Sequence, residues 1–300
     1  TMLFFTRKGR CYWLKCYEIP EGDKNFKGRA IQNMLNIEPD DSVNALLRLR
    51  GLNDEEFVKS HYVVFATKNG TVKKTSLEAY SRPRTNGVNA INIVEGDEVV
   101  DVRLTNGKNE IILANRNGRA VRFDEDSIRT MGRVSTGVRG MKLDDGDDQV
   151  VGMIVVNNAE TETVMVVSEN GYGKRSQVED YRKTNRGGKG VKTFSITEKT
   201  GRLVAIKNVT DDNDLMIINK SGIAIRLAVS ECRVMGRATQ GVRLINLSKK
   251  NDVIASVCKV MSTEKEAEVS GDKDDENATP ATDVQATEAP QTETQTTETE

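Results

Sequence analysis

The stretch Val63-Val64-Phe65-Ala66-Thr67-Lys68-Asn69-Gly70-Thr71-Val72-Lys73-Lys74-Thr75 decides the fold class. An apolar run leads into an Asn-Gly turn, and a segment rich in β-branched and basic residues follows it. A type I′ turn needs positive φ at both central residues, so Asn-Gly between two β-prone segments predicts a hairpin. A run that is apolar at every position predicts a strand that is buried on both faces.

The same sequence pattern occurs five times along the chain. The apolar runs are Met2-Leu3-Phe4-Phe5, Val63-Val64-Phe65-Ala66, Ile111-Ile112-Leu113-Ala114, Val164-Met165-Val166-Val167 and Leu215-Met216-Ile217-Ile218. The turns that follow them end at Gly9, Gly70, Gly118, Gly171 and Gly222. A second glycine follows each turn after 17 to 19 residues, at Gly28, Gly87, Gly137, Gly190 and Gly241. A further strand, an inter-strand loop that is acidic in most repeats, and another strand complete the unit.

A period of about 50 residues with four short strands per unit is typical of propeller blades. We therefore predict an all-β, propeller-like fold of four-stranded blades, at about 1–60, 61–108, 109–160, 161–212 and 213–260. A ring must close to protect its terminal sheets, and the first repeat starts in the middle of a blade. We therefore expect a further blade upstream, and about six blades in the parent protein.

The charge of the chain is divided between a basic body and an acidic tail. Positions 1–260 contain 42 basic and 33 acidic residues, whereas positions 261–300 contain two basic and twelve acidic ones. The tail has almost no large apolar side chains, so we predict that residues 261–300 are disordered. The tail is either a solubility appendage or a tethered anion that competes for the basic body, and its composition favours neither.

Several function classes are excluded by what the sequence lacks. The four cysteines form no CxxC pair and His61 is the only histidine, so we expect no metal site and no catalytic residues in this chain. The longest apolar runs are about five residues, which predicts no membrane-spanning helix. The loop Arg186-Gly187-Gly188-Lys189-Gly190 lacks the Walker A spacing, so we expect no bound nucleotide or other cofactor. Trp13, Tyr12 and Tyr17 are interpreted as packing residues rather than base-stacking platforms.

Lysine and arginine concentrate between the turn glycine and the second glycine of each repeat. Equivalent positions on successive blades lie at one radius, and a rim of positive charge suits a phosphate backbone. An ordinary surface with protected strand edges is the alternative, and recurrence in four successive repeats favours the first interpretation. The candidate DNA-contacting residues are Arg10, Lys15, Lys27, Arg29, Lys73, Lys74, Arg82, Arg84, Arg119, Arg122, Arg129, Arg133, Arg139, Lys174, Arg175, Arg182, Lys183, Arg186, Lys189, Lys192, Arg226, Arg233, Arg237 and Arg243.

The body resembles the C-terminal DNA-wrapping domains of DNA gyrase A proteins, a family of type IIA topoisomerase domains. The resemblance covers about residues 1–260. It rests on Asn69-Gly70-Thr71-Val72-Lys73-Lys74-Thr75, Arg129-Thr130-Met131-Gly132-Arg133 with Thr136-Gly137-Val138-Arg139-Gly140, Asn170-Gly171-Tyr172-Gly173-Lys174-Arg175, and Val234-Met235-Gly236-Arg237 with Thr239-Gln240-Gly241-Val242.

This resemblance implies a β-pinwheel, in which neighbouring blades exchange strands and double-stranded DNA wraps non-specifically around the perimeter. In the family, the wrap supports ATP-dependent negative supercoiling by a bacterial cytoplasmic complex with the DNA gyrase B protein and the upstream breakage-reunion domain. ATP and Mg²⁺ then bind elsewhere in that complex.

The resemblance also leaves a doubt and two alternatives. The family's Gln-Arg-Arg-Gly-Gly-Lys-Gly box is not found in the sequence; residues 186–190 resemble part of it, and we carry over only phosphate contact for Arg186 and Lys189. A topoisomerase IV domain that recognises DNA crossings for decatenation is one alternative. A protein-interaction propeller is another, which the aromatic content of 5% disfavours.

Overall fold

Nineteen strands account for most of the regular structure in the computed structural model. Its description covers residues 1–22, 27–49, 51–144, 146–247 and 252–262. Within these ranges, Thr1–Ser262 forms one unit. Of the tail predicted to be disordered, residues 261–300, Met261 ends a strand and Ser262 donates from its amide to the carbonyl oxygen of Asp212. The rest of the tail, from residue 263 onward, lies outside the described residues.

The strands follow the five sequence repeats in order. The first repeat contains β1 (Met2–Thr6), β2 (Arg10–Leu14) and β3 (Val43–Arg48), followed by α1 (Glu55–Ser60). The second contains β4 (Tyr62–Thr67), β5 (Thr71–Ser76), β6 (Val88–Asn89) and β7 (Val99–Thr105). The third contains β8 (Glu110–Asn115), β9 (Arg119–Asp124), β10 (Val138–Arg139) and β11 (Val150–Val156). The fourth contains β12 (Thr163–Ser168), β13 (Tyr172–Gln177), β14 (Val191–Lys192) and β15 (Leu203–Val209). The fifth contains β16 (Asn213–Asn219), β17 (Ala224–Ala228), β18 (Val242–Arg243) and β19 (Ile254–Met261).

Short 3₁₀ turns connect some of these strands. They are Cys16–Glu18, Ile31–Asn33, Leu77–Tyr80, Glu125–Ser127, Val178–Asp180 and Val229–Glu231. The last four occur at the same place in their repeats, directly after the second strand of the hairpin. None of the described helices has the length and apolar character needed to cross a bilayer.

All strand pairs within the sheets are antiparallel, and neighbouring repeats exchange strands. The sheet orders are β3-β1-β2-β6, β10-β5-β4-β7, β11-β8-β9-β14, β15-β12-β13-β18 and β17-β16-β19. The two-residue strand of each of the last four repeats pairs with the hairpin of the preceding repeat; Val191, for example, pairs with Ala120. We call β6, β10, β14 and β18 the donated strands. The prediction of an all-β, propeller-like fold with exchanged strands is confirmed.

The second glycine of each of the last four repeats is explained by this exchange. Gly190 precedes the donated strand β14 and has φ +72°, a conformation that L side chains rarely adopt. A Cβ atom at this position would collide with the carbonyl oxygen of Ala120. The glycine therefore lets the chain of one repeat lie directly against the backbone of the repeat before it.

The hydrophobic core is divided into layers between adjacent sheets. Phe5 of the first sheet and Phe65 of the second meet edge to face, with ring centroids 5.3 Å apart. Separate clusters of buried apolar residues lie between successive sheets. The last strands of the repeats, β3, β7, β11, β15 and β19, pack against one another in this order. Consecutive blades are therefore joined both by apolar packing and by strand exchange.

The fifth sheet has three strands within the described residues, with β17 at its edge. A Cβ added at Gly222, the turn glycine before β17, would meet no atom within 4 Å. At the equivalent Gly118, a Cβ would instead lie 2.7 Å from the carbonyl oxygen of Phe194, which follows the donated strand β14. The expectation of four strands in every blade is therefore met by the first four sheets, and the expected upstream blade stays a prediction.

Candidate functional site

One position of the repeat carries a large polar side chain toward the next repeat. It is the fourth residue after the turn glycine, on the second strand of the hairpin, and it is occupied by Trp13, Lys74, Arg122, Arg175 and Arg226. In the first repeat, Trp13 Nε1 donates a hydrogen bond to the carbonyl oxygen of Tyr80 at 2.9 Å. We call this the linking position, because the first four of these side chains contact the following repeat.

Arg122 and Arg175 occupy the linking position as buried cations. Arg122 Nη1 donates to the carbonyl oxygens of Val178 at 2.8 Å and Tyr181 at 3.0 Å, and its Nη2 lies 2.6 Å from Oε2 of Glu110. Arg175 Nη1 donates to the carbonyl oxygen of Val229 at 3.0 Å and forms an ion pair with Asp211 at 2.7 Å.

Lys74 forms the same link through a buried carboxylate. Its Nζ lies 3.0 Å from Oε1 of Glu125, whose side chain is fully buried. Glu125 also accepts a hydrogen bond from Thr105 Oγ1 at 2.6 Å. Glu125 begins the 3₁₀ turn of the third repeat, whereas Val178 and Val229 begin the equivalent turns of the next two repeats. The acid therefore occurs where the preceding repeat has a lysine at the linking position.

Two further lysines lie in the interior, one residue before the linking position. Lys73 Nζ donates to the carbonyl oxygens of Ala90, at 2.6 Å, and Arg133. Lys174 Nζ donates to the carbonyl oxygen of Gly236 at 2.7 Å. The pKa of both lysines is lowered to about 7, chiefly by burial, and the charge of Arg133 contributes to the lowering for Lys73.

The structure therefore corrects the sequence interpretation of five basic residues. Lys73, Lys74, Arg122, Lys174 and Arg175 were predicted to lie on the rim, but their side chains are buried and bonded inside the protein. A count of basic residues per repeat does not reveal which face of a strand each side chain leaves from. The 12-residue spacing between Arg122 and its partner Glu110 recurs for Arg226 and Asp214, and it indicates an ion pair across the hairpin but not burial, because Arg226 is exposed.

The remaining predicted residues are at least partly accessible. Arg10, Arg119, Arg133, Arg186 and Arg237 are half-buried. The exposed ones are Lys15, Lys27, Arg29, Arg82, Arg84, Arg129, Arg139, Arg182, Lys183, Lys189, Lys192, Arg226, Arg233 and Arg243. Of the three aromatic residues predicted to pack, Tyr12 is buried and Trp13 is half-buried, whereas Tyr17 is 84% exposed, so the prediction was wrong for Tyr17.

Six exposed cations recur at two positions of the repeat, and we call them the perimeter set. Arg129, Arg182 and Arg233 each follow the last buried residue after the 3₁₀ turn, and Arg139, Lys192 and Arg243 each end a donated strand. Within the described residues, none of the six forms an ion pair with a carboxylate. Arg243 of this set does donate to the hydroxyl oxygen of Tyr172, at 3.2 and 3.0 Å. Lys192 lies directly opposite Arg119 in the strand register, which places like charges side by side.

Other exposed cations have carboxylate partners. Lys183 lies 2.6 Å from Glu110 and 2.9 Å from Asp124, and these hydrogen bonds raise its pKa. Lys189, in the glycine-rich loop, lies 3.0 Å from Asp144 and lowers the pKa of that carboxyl.

Two arginines clamp the loop of the preceding repeat. Arg186 donates to the carbonyl oxygens of Ser127 at 2.9 Å and Arg139 at 3.0 Å. Arg237 donates in the same way to Asp180 at 2.9 Å and Lys192 at 2.6 Å. The two residues for which the resemblance implied phosphate contact, Arg186 and Lys189, are therefore both engaged within the protein.

The acidic inter-strand loops have a structural role that the sequence did not reveal. Asp97 Oδ1 accepts hydrogen bonds from the backbone amides of Asn69 and Glu98, both at 2.9 Å, and so holds the hairpin turn of its repeat. Asp148 accepts from the amide of Asn117 in the equivalent way. Over the described ranges, no group of three or more His, Cys, Asp or Glu side chains is arranged to hold a metal ion.

Comparison with known families decides where this arrangement belongs. The model of the DNA gyrase C-terminal domain, beta-propeller, matches residues 1–50, 61–106, 109–157, 162–210 and 213–258. The chain belongs to this family. The matched segments coincide with the five repeats, so the repeated hairpins and donated strands are features of a gyrase-type C-terminal domain.

Individual relatives agree with the family. The chain is 44% identical over 259 residues to the DNA gyrase A protein of Staphylococcus epidermidis. The aligned region covers 86% of this chain and 28% of that protein. It is equally similar to the DNA gyrase A protein of Staphylococcus aureus, of which 29% is covered. The chain thus spans less than a third of the length of these curated relatives.

Solved structures share the fold. A crystal structure of the C-terminal domain of DNA topoisomerase IV superposes with a TM-score of 0.79 and 26% identity, over 92% of this chain and 84% of that one. A DNA gyrase A C-terminal domain superposes with a TM-score of 0.74 and 23% identity, over 87% and 82% of the two chains.

Proposed function

We propose that this domain binds double-stranded DNA through its backbone, without reading the sequence, and bends it along the successive blades. The observation that carries the proposal is the perimeter set, six exposed cations without carboxylate partners at two repeated positions. Guanidinium and ammonium groups that recur on successive repeats offer repeated contacts to the phosphates of a duplex, and such contacts do not depend on base sequence.

The close approach of like charges supports the same proposal. Arg119 and Lys192 lie opposite each other on neighbouring strands, an arrangement that destabilises a sheet unless an anion lies nearby. Arg119 has one distant carboxylate partner, Asp144 at 3.9 Å, and Lys192 forms no ion pair among the described residues. A phosphate placed between the two side chains would relieve this repulsion.

Bending requires many contacts rather than one strong one. Bending 20 to 30 base pairs by 40 to 90° costs about 1 to 6 kcal/mol. The perimeter set spans three successive repeats, so several weak phosphate contacts share this cost. Because half of these basic groups lie on donated strands, each of those contacts is fixed by two blades at once.

The relatives named as DNA gyrase A proteins support a proposal for the role of the parent protein. We propose that the bent DNA is presented to the upstream breakage-reunion domain, in a complex with the gyrase B protein in the bacterial cytoplasm. That complex would use ATP and Mg²⁺, bound outside this chain, for negative supercoiling. The domain would supply the DNA path and take no part in bond cleavage.

Salt-dependent binding tests the proposal. A 40-base-pair duplex of random sequence is titrated with the 300-residue chain between 50 and 200 mM salt, and with a variant in which the six perimeter residues are glutamine. Each lost phosphate contact lowers the salt slope by about 0.9, so the slope should fall by about 5. Binding whose slope is the same in both proteins would disprove the assigned path.

A second candidate is a topoisomerase IV domain that recognises DNA crossings. It is supported by the superposition on the topoisomerase IV domain. The two candidates differ in the parent enzyme, because a gyrase introduces negative supercoils into relaxed DNA with ATP. Decatenation without supercoiling would favour the second candidate.

A further inference from the structure

A concave, strongly basic site lies where the loop of the third repeat crosses the loop of the second. The cavity has a volume of about 340 Å³ and is lined by Glu78, Ala79, Ser81, Arg82, Arg84 and Arg133. Arg133 comes from the third repeat, and the other five residues come from the second. We call Arg82, Arg84 and Arg133 the arginine triad.

Arg133 differs from its equivalents in the two following repeats. Arg186 and Arg237 each donate two hydrogen bonds to backbone carbonyls of the preceding repeat, as described above. Within the described residues, the guanidinium of Arg133 makes no such bond. Its side chain is therefore the one of these three that is available to a ligand.

The sequence of the second repeat explains this difference. Seven positions separate Tyr80 from Gly87, whereas nine separate Tyr181 from Gly190. The shorter loop also contains Pro83, whose fixed φ limits the paths that the chain can take. The loop that Arg133 crosses is thus shaped differently from those crossed by Arg186 and Arg237.

The charge of the triad is not neutralised inside the protein. Among the described residues, neither Arg82 nor Arg84 nor Arg133 forms an ion pair, although the carboxylate of Glu78 also belongs to a residue that lines the cavity. Beneath the triad, Lys73 Nζ donates to the carbonyl oxygen of Arg133. The pKa of Lys73 is lowered to about 7, chiefly by burial and in smaller part by the charge of Arg133.

We propose that the arginine triad is a phosphate-binding site that holds one segment of the DNA backbone more tightly than the rest of the perimeter does. Each guanidinium group offers paired N–H donors whose spacing matches phosphoryl oxygens. All three residues line the same cavity. This proposal rests on the DNA-binding function above and assigns it an anchor between the second and third blades.

A comparison of two triple variants tests the anchor. Arg82→Gln/Arg84→Gln/Arg133→Gln removes the triad, and Arg129→Gln/Arg182→Gln/Arg233→Gln removes three separate perimeter charges. Both lose the same net charge, so a diffuse electrostatic effect predicts equal losses of affinity for a 40-base-pair duplex. The anchor predicts a loss at least tenfold larger for the triad variant at 100 mM salt. Far-ultraviolet circular dichroism and urea midpoints confirm that both variants are folded.

The outcomes separate this proposal from the function on which it rests. Equal losses in the two variants would overturn the anchor and leave the DNA-binding function intact. A wild-type chain that does not bind the duplex would overturn both.

A second titration distinguishes DNA phosphates from a free polyphosphate. Inorganic pyrophosphate should bind weakly to the wild-type chain, compete with the duplex, and lose its binding in Arg133→Gln but not in Arg233→Gln. If pyrophosphate binding depends on Arg133 while the triad variant binds the duplex normally, the site takes free phosphates and the anchor is wrong.

Discussion

Arg122 of the third repeat donates a hydrogen bond from Nη1 to the backbone carbonyl of Tyr181 in the fourth repeat, at 3.0 Å. Trp13 of the first repeat donates the equivalent hydrogen bond, from Nε1 to the backbone carbonyl of Tyr80 in the second repeat. A tryptophan and an arginine therefore form the same link at one position of the repeat. Basic residues in this domain serve two separate purposes, linking blades inside and presenting charge outside.

Replacement of Arg122 by Met should destabilise the fold. The carbonyls of Val178 and Tyr181 lose their donor, and Glu110 keeps only Lys183 as a partner. Loss of one partner of a buried charge network costs about 3 kcal/mol, so the free energy of unfolding should fall by about that amount in urea titrations. Arg129→Met, at an exposed position of the same repeat, should change it by less than about 0.5 kcal/mol. An Arg122→Met variant with wild-type stability and weakened DNA binding would instead show that Arg122 contacts DNA at the rim.

Replacement of Arg182 by Gln should have the opposite pattern. Arg182 is exposed and forms no ion pair among the described residues, so its loss leaves no buried group without a partner. We expect the salt slope of duplex binding to fall by about one unit, with unchanged stability. The measurement is fluorescence anisotropy at four salt concentrations. An unchanged slope would remove Arg182 from the DNA path.

Two glycines of one loop provide a matched test of strand exchange. Gly190→Ala forces a Cβ against the carbonyl of Ala120 at φ +72°, whereas a Cβ at Gly188 would meet atoms no closer than 3.8 Å. We expect Gly190→Ala to lower the unfolding free energy by at least about 2 kcal/mol, and Gly188→Ala to change it by less than about 1 kcal/mol. Equal effects in thermal or urea unfolding would contradict the close contact between the two repeats.

The buried lysines predict a pH dependence of stability. The pKa of Lys73 and of Lys174 falls from 10.5 to about 7 on folding, because burial disfavours the ammonium form. Between pH 7 and 10 the unfolded state therefore binds more protons, and the free energy of unfolding should rise with pH. The rise reaches at most about 1.4 kcal/mol per pH unit for each lysine.

The Lys73→Met/Lys174→Met variant isolates this effect from other titrating groups. Its unfolding free energy should rise less between pH 7 and 9 than that of the wild-type chain. Lys192→Met, at an exposed position, serves as the control and should keep the wild-type pH dependence. Identical pH dependence in the double variant and the wild-type chain would show that the two lysines keep ordinary pKa values.

The repeat pattern predicted most of the fold, because turn chemistry is local. The predicted hairpin turns are present, with Gly70, Gly118 and Gly171 at φ between +78° and +84°. The type I′ assignment was wrong in detail, because the amide of Gly70 donates to the carbonyl oxygen of Thr67. Lys68 and Asn69 are therefore the central residues, and the glycine is the last residue of the turn.

The structure of the segment before residue 61 was harder to predict from the sequence. Asp54 caps α1 by accepting from the amide of Phe57 at 3.0 Å, and Val58 joins the core between the first two sheets. A short helix inserted into a β repeat leaves no periodic signal.

The candidate site was harder to predict than the fold. Lys74 and Lys192 were both predicted to lie on the basic rim, but one is buried against Glu125 and the other is exposed on a donated strand. Their environments depend on the neighbouring repeat, so a single repeat read alone cannot distinguish them. The acid at position 125, where Val178 and Val229 stand later, shows that partners must be compared across repeats.

The linking number of circular DNA tests the central claim most directly. The 300-residue chain is added to nicked circles at several salt concentrations, the nicks are sealed with ligase, and the topoisomers are separated after deproteinisation. If exposed cations on successive blades bend DNA along a chiral path, the distribution should shift in one direction, fade as salt rises, and stay unshifted with the variant that lacks the six perimeter residues. An unshifted distribution with the wild-type chain at low salt, or an undiminished shift with that variant, would contradict the account.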